Sequence, residues 1–98
     1  MSDIDETLNE RGKRYGLFVD YAEISQNIKS AMYKAAKYQD LTRDKKEALE
    51  MIAHKIARIL NGDSNYHDNW HNWHDIIGYA TIVADTIIQE NPELIGDI

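Results

Sequence analysis

The residues best equipped for chemistry crowd into Asn65–Tyr79, which reads N-Y-H-D-N-W-H-N-W-H-D-I-I-G-Y. Both tryptophans of the chain lie here, with three of its four histidines and the carboxylates Asp68 and Asp75. His67, His71 and His74 are spaced i, i+4, i+7, so a helix would set three imidazoles along one edge, a donor set for Zn²⁺ or Ni²⁺. The spacing is not H-E-x-x-H, and His67 falls close to where such a helix would begin. The same residues also suit a plain helix start. Asp68 or Asn69 would cap it, and Trp70 and Trp73 would anchor its packing.

A second constellation is carboxylate-rich. Glu47, Glu50, His54 and Arg58 recur at i, i+3, i+7 and i+11, one face of a helix. Asp68, His71 and Asp75 repeat the i, i+3, i+7 pattern. If the two helices pair antiparallel, Glu47, Glu50 and Asp75 become candidate ligands for Mg²⁺, a hard cation that prefers oxygen. Such an ion would neutralise phosphate charge and activate a water. The plainer alternative is two solvated faces with pairs such as Glu50–His54 and His71–Asp75.

A third group is basic. Gly12-Lys13-Arg14-Tyr15-Gly16 places two cations between glycines that permit a tight turn with positive φ and exposed amides. Arg11, Lys13 and Arg14, with Lys55 and Arg58 further on, are candidate phosphate ligands. Tyr15 is a candidate stacking surface for a base, as are Tyr66, Trp70 and Tyr79; aromatics at helix junctions are also ordinary core residues. No Gly-Lys-Ser/Thr follows, so this is not a P-loop. No Ser, Thr or Cys stands in a nucleophile–His–acid order, which leaves covalent catalysis without support.

Helices must position these groups. Apolar residues recur with helical period from Phe18 to Tyr38: Phe18, Tyr21, Ala22, Ile24, Ile28, Ala31, Met32 and Ala35. Thr42 is a good cap for a helix over 43–60, whose apolar face is Leu49, Ile52, Ala53, Ile56, Ile59 and Leu60. Asn61-Gly62 ends it, with Gly62 free to take the left-handed conformation. A last helix starts near Asp68 and runs to Glu90, with Trp73, Ile76, Ile77, Ala80, Val83, Ala84, Ile87 and Ile88 as a broad apolar face. Asn91-Pro92 stops it. Before all of these, Ser2 caps a short helix that ends by Gly12. No segment alternates with period two. The expected fold is all-α: a bundle of about four helices with two long antiparallel helices, completed by association of protomers. One domain spans 1–98: a short helix and basic loop over 1–16, a helical core over 17–90, and a tail over 91–98.

Composition narrows the function classes. Ninety-eight residues make one small domain with a modest core. The chain has no cysteine, so no disulfide framework or thiolate metal site stabilises it. No apolar run approaches the roughly 20 residues that span a bilayer, and the acidic start M-S-D-I-D-E is unlike a signal peptide. A cytoplasmic location is expected. The net charge of −6 is unevenly spread. All eleven Lys and Arg fall in residues 11–58 against six acids, while residues 59–98 carry seven acids and no base. A net-acidic chain argues against nonspecific DNA binding, and the split favours head-to-tail or antiparallel contacts between subunits.

The runs E-R-G-K-R-Y-G, A-L-E-M-I-A-H-K-I-A-R-I-L-N-G-D and D-N-W-H…D-I-I-G-Y-A, spread over about residues 9–85, resemble a family of small proteins encoded by phages and prophages. That family usually has a single Asn-Trp-x-Asp before the apolar run, whereas here Asn-Trp-His is doubled. More distantly, the chain is similar to the all-α nucleotide pyrophosphohydrolases of the MazG type. Those enzymes carry E-E-x-x-E on one helix and E-x-x-D on the next, bind Mg²⁺ through these acids, and act as oligomers. The matching positions here are Lys46-Glu47-Ala48-Leu49-Glu50 and Asn72-Trp73-His74-Asp75. Glu47, Glu50 and Asp75 are kept; Lys46 and Asn72 replace the other two acids. The resemblance implies nucleotide handling more than hydrolysis.

The leading expectation is therefore a phage-type, homo-oligomeric nucleotide-binding protein that sequesters a nucleotide signal of its host. Arg11, Lys13, Arg14, Tyr15, Lys55 and Arg58 would be its contacts. The alternatives are a Mg²⁺-dependent pyrophosphohydrolase using Glu47, Glu50 and Asp75, and an interaction module that binds a host protein through its acidic C-terminal half.

Overall fold

The computed structural model describes Ile4 and residues 16–62 and 69–97. The expected helix at Ser2, the basic run Arg11–Tyr15, and Tyr66, His67 and Asp68 lie outside the described residues. What is described is all-α. Helix α1 is Phe18–Lys34, α2 is the short Ala36–Asp40, α3 is Arg43–Asn61 and α4 is Asn69–Glu90; a 3₁₀ turn, Pro92–Asp97, follows.

Helix α3 begins and ends close to where the pattern puts it. Thr42 has extended backbone angles, and its carbonyl accepts the Lys46 amide at 3.0 Å, opening the helix. Its hydroxyl donates to the Asp44 carboxylate and accepts no backbone amide, so Thr42 caps through its backbone alone. Asp44 in the first turn and Arg58 in the last agree with the helix dipole. At the far end Gly62 is extended (φ −91°, ψ −179°), not left-handed. The Gly62 amide still bonds the Arg58 carbonyl at 3.1 Å, so the helix closes without the left-handed cap.

The expected single helix over Phe18–Tyr38 is broken. Ala35 leaves helical angles (φ −72°, ψ 127°) and its amide closes the last turn on the Met32 carbonyl. No Gly or Pro marks this break; a tertiary contact described below produces it.

Helix α4 stops where Asn91 takes over. The Asn91 amide bonds the Ile87 and Ile88 carbonyls at 2.9 and 3.1 Å, and its side chain donates to Ile87 at 3.2 Å. Pro92 has no amide to extend the ladder, and the 3₁₀ turn folds back on α4.

The order of packing positions everything else. Helix α3 is the middle element, with α1 on one side and α4 on the other. Leu17 and Asn61 meet at one end, and Tyr33 and Glu50 at the other, so α1 runs antiparallel to α3. Helix α4 returns along α3 after 62–68, also antiparallel. The core is thin. Its buried apolar residues are Tyr38, Ala48, Ala53 and Ala57, with Ser25 and Asn72 buried beside them. Small residues let the three helices approach closely, but among the described residues no large side chain is fully buried. The radius of gyration is 16.8 Å, against about 13 Å for a compact domain of this length.

Candidate functional site

Glu50 is the best-connected acid among the described residues. Its carboxylate accepts the Tyr33 hydroxyl at 2.7 Å and the Tyr38 hydroxyl at 2.9 Å. Within one unbroken helix, residues five apart point about 140° away from each other and cannot both reach a single carboxylate. The break at Ala35 brings the two rings to 5.2 Å between centroids. The Lys46 ammonium sits 5.5 Å over the Tyr38 ring. The two phenols hold the Glu50 carboxyl below its ordinary range, helped by Lys29 and His54. In return the Tyr33 hydroxyl is pushed up to about 12, chiefly by its bond to Glu50. Tyr38 rises too, with burial the first cause and Glu50 the second.

His54 lies one turn on, edge to face with Tyr21 at 6.3 Å. Burial lowers its pKa, and Lys29 and Arg58 add to that. The cluster of Glu50, Tyr33, Tyr38 and His54 thus pins α1 and α2 to α3. Local sequence gives no signal for Tyr33 and Tyr38, because their convergence depends on the break at Ala35.

Asp75 belongs to a different contact. Lys55 donates to it at 2.9 Å, tying α3 to α4, and lowers the Asp75 carboxyl. The Lys55 side chain is only 12% exposed, so its charge is committed to this pair. Glu47 is exposed. Glu47, Glu50 and Asp75 are therefore not gathered: Glu50 turns to two tyrosines, and Asp75 to a lysine. Among the described residues no three His, Asp or Glu side chains form a group that could hold a metal ion.

Of the basic group, Lys55 and Arg58 are described. Gly16 shows how the preceding segment enters. It has φ +74°, the left-handed region expected of a glycine turn, and lies against the last turn of α3. A Cβ there would collide with the Asn61 carbonyl and lie 2.8 Å from the Asn61 amide nitrogen, which itself donates to the Leu17 carbonyl at 3.0 Å.

The tryptophan-histidine stretch also differs from its expected role. Trp73 is 58% exposed and Trp70 61%, so neither is a core anchor. Trp70 stacks on His74 at 5.0 Å and meets His71 edge-on at 4.9 Å. Asn72, between the tryptophans, is the residue that faces inward: it is 4% exposed, and its amide nitrogen has no hydrogen-bond partner among the described residues. Asp75, Ile76, Tyr79, Val83 and Thr86 continue that inner face as half-buried positions. Trp70, Trp73 and Ile77, with Ala80 and Ala84, form a separate exposed stripe. On α3, Leu49 and Leu60 are exposed as well.

No protein-family model, curated protein or solved structure matches this chain. Among the described residues no helix is long and apolar enough to cross a membrane.

Proposed function

We propose that this chain is a protein-interaction module whose working surface is the exposed apolar face of α4. The observation that carries this is the exposure of Trp70, Trp73 and Ile77 at 61%, 58% and 63%, all on one side of one helix. Both tryptophans of the chain stand in water while alanines fill its core. Aromatic residues in such positions are the usual anchors of protein interfaces, because they bury much area at little cost in side-chain entropy. The acidic character of α4 suits this reading, since the helix has Asp75, Asp85 and Glu90 and no Lys or Arg. A photo-reactive benzoylphenylalanine in place of Ile77 tests it in the producing cell. A discrete cross-linked protein adduct is expected at Ile77 and none at exposed Gln26 on α1. Absence of any adduct at Ile77 would end the reading.

One observation favours a second reading, the binding of a nucleotide or similar anion. The Gly16 turn against Asn61 supports it, since Lys13 and Arg14 lie within three residues of that turn in sequence and Arg58 one helical turn from Asn61. A ligand that binds the folded state must raise its melting temperature. A nucleotide panel that leaves the melting temperature unmoved at millimolar concentrations rejects this reading.

A further inference from the structure

The exposed stripe on α4 has a spacing and a size gradient of its own. Trp70, Trp73, Ile77, Ala80 and Ala84 are separated by three, four, three and four residues, the a/d spacing of helices that pack side by side. None of them faces α3. Bulky residues fill the N-terminal half of the stripe and small ones the C-terminal half. Resting on the interaction-module reading, we infer that the partner is a second copy of this chain, docked with the two α4 helices antiparallel and the symmetry axis near Ile77.

Three observations select this occupant. The first is shape. Antiparallel pairing about Ile77 lays Trp70 and Trp73 of each chain over the alanine half of the other, so large side chains meet small ones on both sides of the axis. A parallel pair would set tryptophan on tryptophan and leave the alanine half loosely filled.

The second is charge. Helix α4 has Asp85 and Glu90 towards its C-terminal end and no Lys or Arg anywhere. Antiparallel pairing carries those acids towards the partner's α4 N-terminus, the positive end of its dipole. Parallel pairing would stack like charges.

The third is area. A tryptophan about three-fifths exposed leaves on the order of 150 Å² in water. Leu49 and Leu60 extend the surface. Lys55 and Asp75 mark one side of the α3–α4 pair, and at about 100° per residue Leu49 and Leu60 lie on the other side, as do Trp73 and Ala80. With these leucines the apolar surface reaches on the order of 600 Å² per chain, and a polar rim brings it to the roughly 800 Å² per partner of a standard interface. It also supplies, in every molecule, the large buried side chains that are absent among the described residues of the single chain.

The test uses the full chain. Sedimentation equilibrium is expected to give twice the chain mass of 11.3 kDa, and Trp73→Glu to halve that mass with helical circular dichroism retained. A wild-type monomer at hundreds of micromolar overturns the inference, as does a Trp73→Glu protein that remains dimeric. Should Trp73→Glu fail to fold, cysteine cross-linking decides, since the chain has no cysteine of its own. A mixture of Trp70→Cys and Ala84→Cys chains is expected to yield a mixed disulfide dimer on mild oxidation. Trp70→Cys linking to itself instead overturns the antiparallel arrangement. The photo-adduct at Ile77 separates the two levels: an adduct with a different protein retires the second copy and leaves the module reading standing, whereas no adduct retires both.

Discussion

Glu50 shows how one side chain can set local structure against propensity. Residues 31–38, A-M-Y-K-A-A-K-Y, are good helix formers without a breaker, yet the helix opens at Ala35 so that two phenols reach one carboxylate. Those bonds make stability depend on pH at both extremes. Tyr33 holds its proton to about 12 in the fold against 10 in an unfolded chain. Its contribution is therefore complete below pH 10 and is lost as pH rises towards 12. Glu50 is displaced the other way, so its contribution is complete above pH 4.5 and is lost as pH falls through its lowered value. Tyr33→Phe is expected to flatten the alkaline limb of a melting-temperature profile, and Glu50→Gln the acid limb; unchanged limbs would contradict these assignments. Asn72 is the opposite kind of residue, buried with an amide nitrogen that has no partner among the described residues. Asn72→Leu removes that orphan donor and is expected to raise stability by about 1 kcal/mol, measured by urea denaturation.

At the scale of elements, close approach is the governing feature. Glu50, His54 and Asn61 lie on the side of α3 that meets α1, and the buried alanines Ala53 and Ala57 lie among them. Ala57 has no exposed surface, so Ala57→Leu has no room for its added carbons and is expected to cost about 1–3 kcal/mol. The Gly16 turn fixes how the chain enters α1. Gly16→Ala meets both an unfavourable φ and the Asn61 backbone, with an expected loss of about 1–3 kcal/mol. Chemical denaturation of each variant reads these values, and a loss below a few tenths for Gly16→Ala would show that the turn relaxes. Helix bounds were legible beforehand because capping and periodicity are local: Arg43, Asn61 and Glu90 fall within a residue of expectation. The break at Ala35 was not, because its cause lies in the contact of Tyr33 and Tyr38 with Glu50 on another helix.

The whole molecule is a chain of helices with much of its apolar surface still outside. If that surface closes on a second copy, folding and association are coupled, and the melting temperature must rise with protein concentration. Because both tryptophans stand on the α4 stripe, dilution is expected to shift their fluorescence towards the emission of indole in water. A melting temperature independent of concentration, with constant emission, would indicate a monomer. The charge asymmetry of the sequence has a structural counterpart here: α4 carries three acids and no Lys or Arg, whereas eight of the eleven Lys and Arg lie on α1, α2 and α3.

From its sequence alone the chain is all-α, with α3 and α4 in place and their polar stripes mapped, because period, caps and Pro92 act within a few residues. Partnership is another matter. The i, i+3, i+7 stripe put Glu50 and Asp75 on suggestive faces, but a helix wheel does not say which neighbour a face meets. Only the tertiary structure gave Glu50 to Tyr33 and Tyr38, and Asp75 to Lys55, because α1 and α4 lie on different sides of α3. It also turned Trp73 outward and Asn72 inward. The apolar face of α4 is broader than α3 can cover, and a hydrophobic pattern records how much surface seeks burial without recording where that surface finds it.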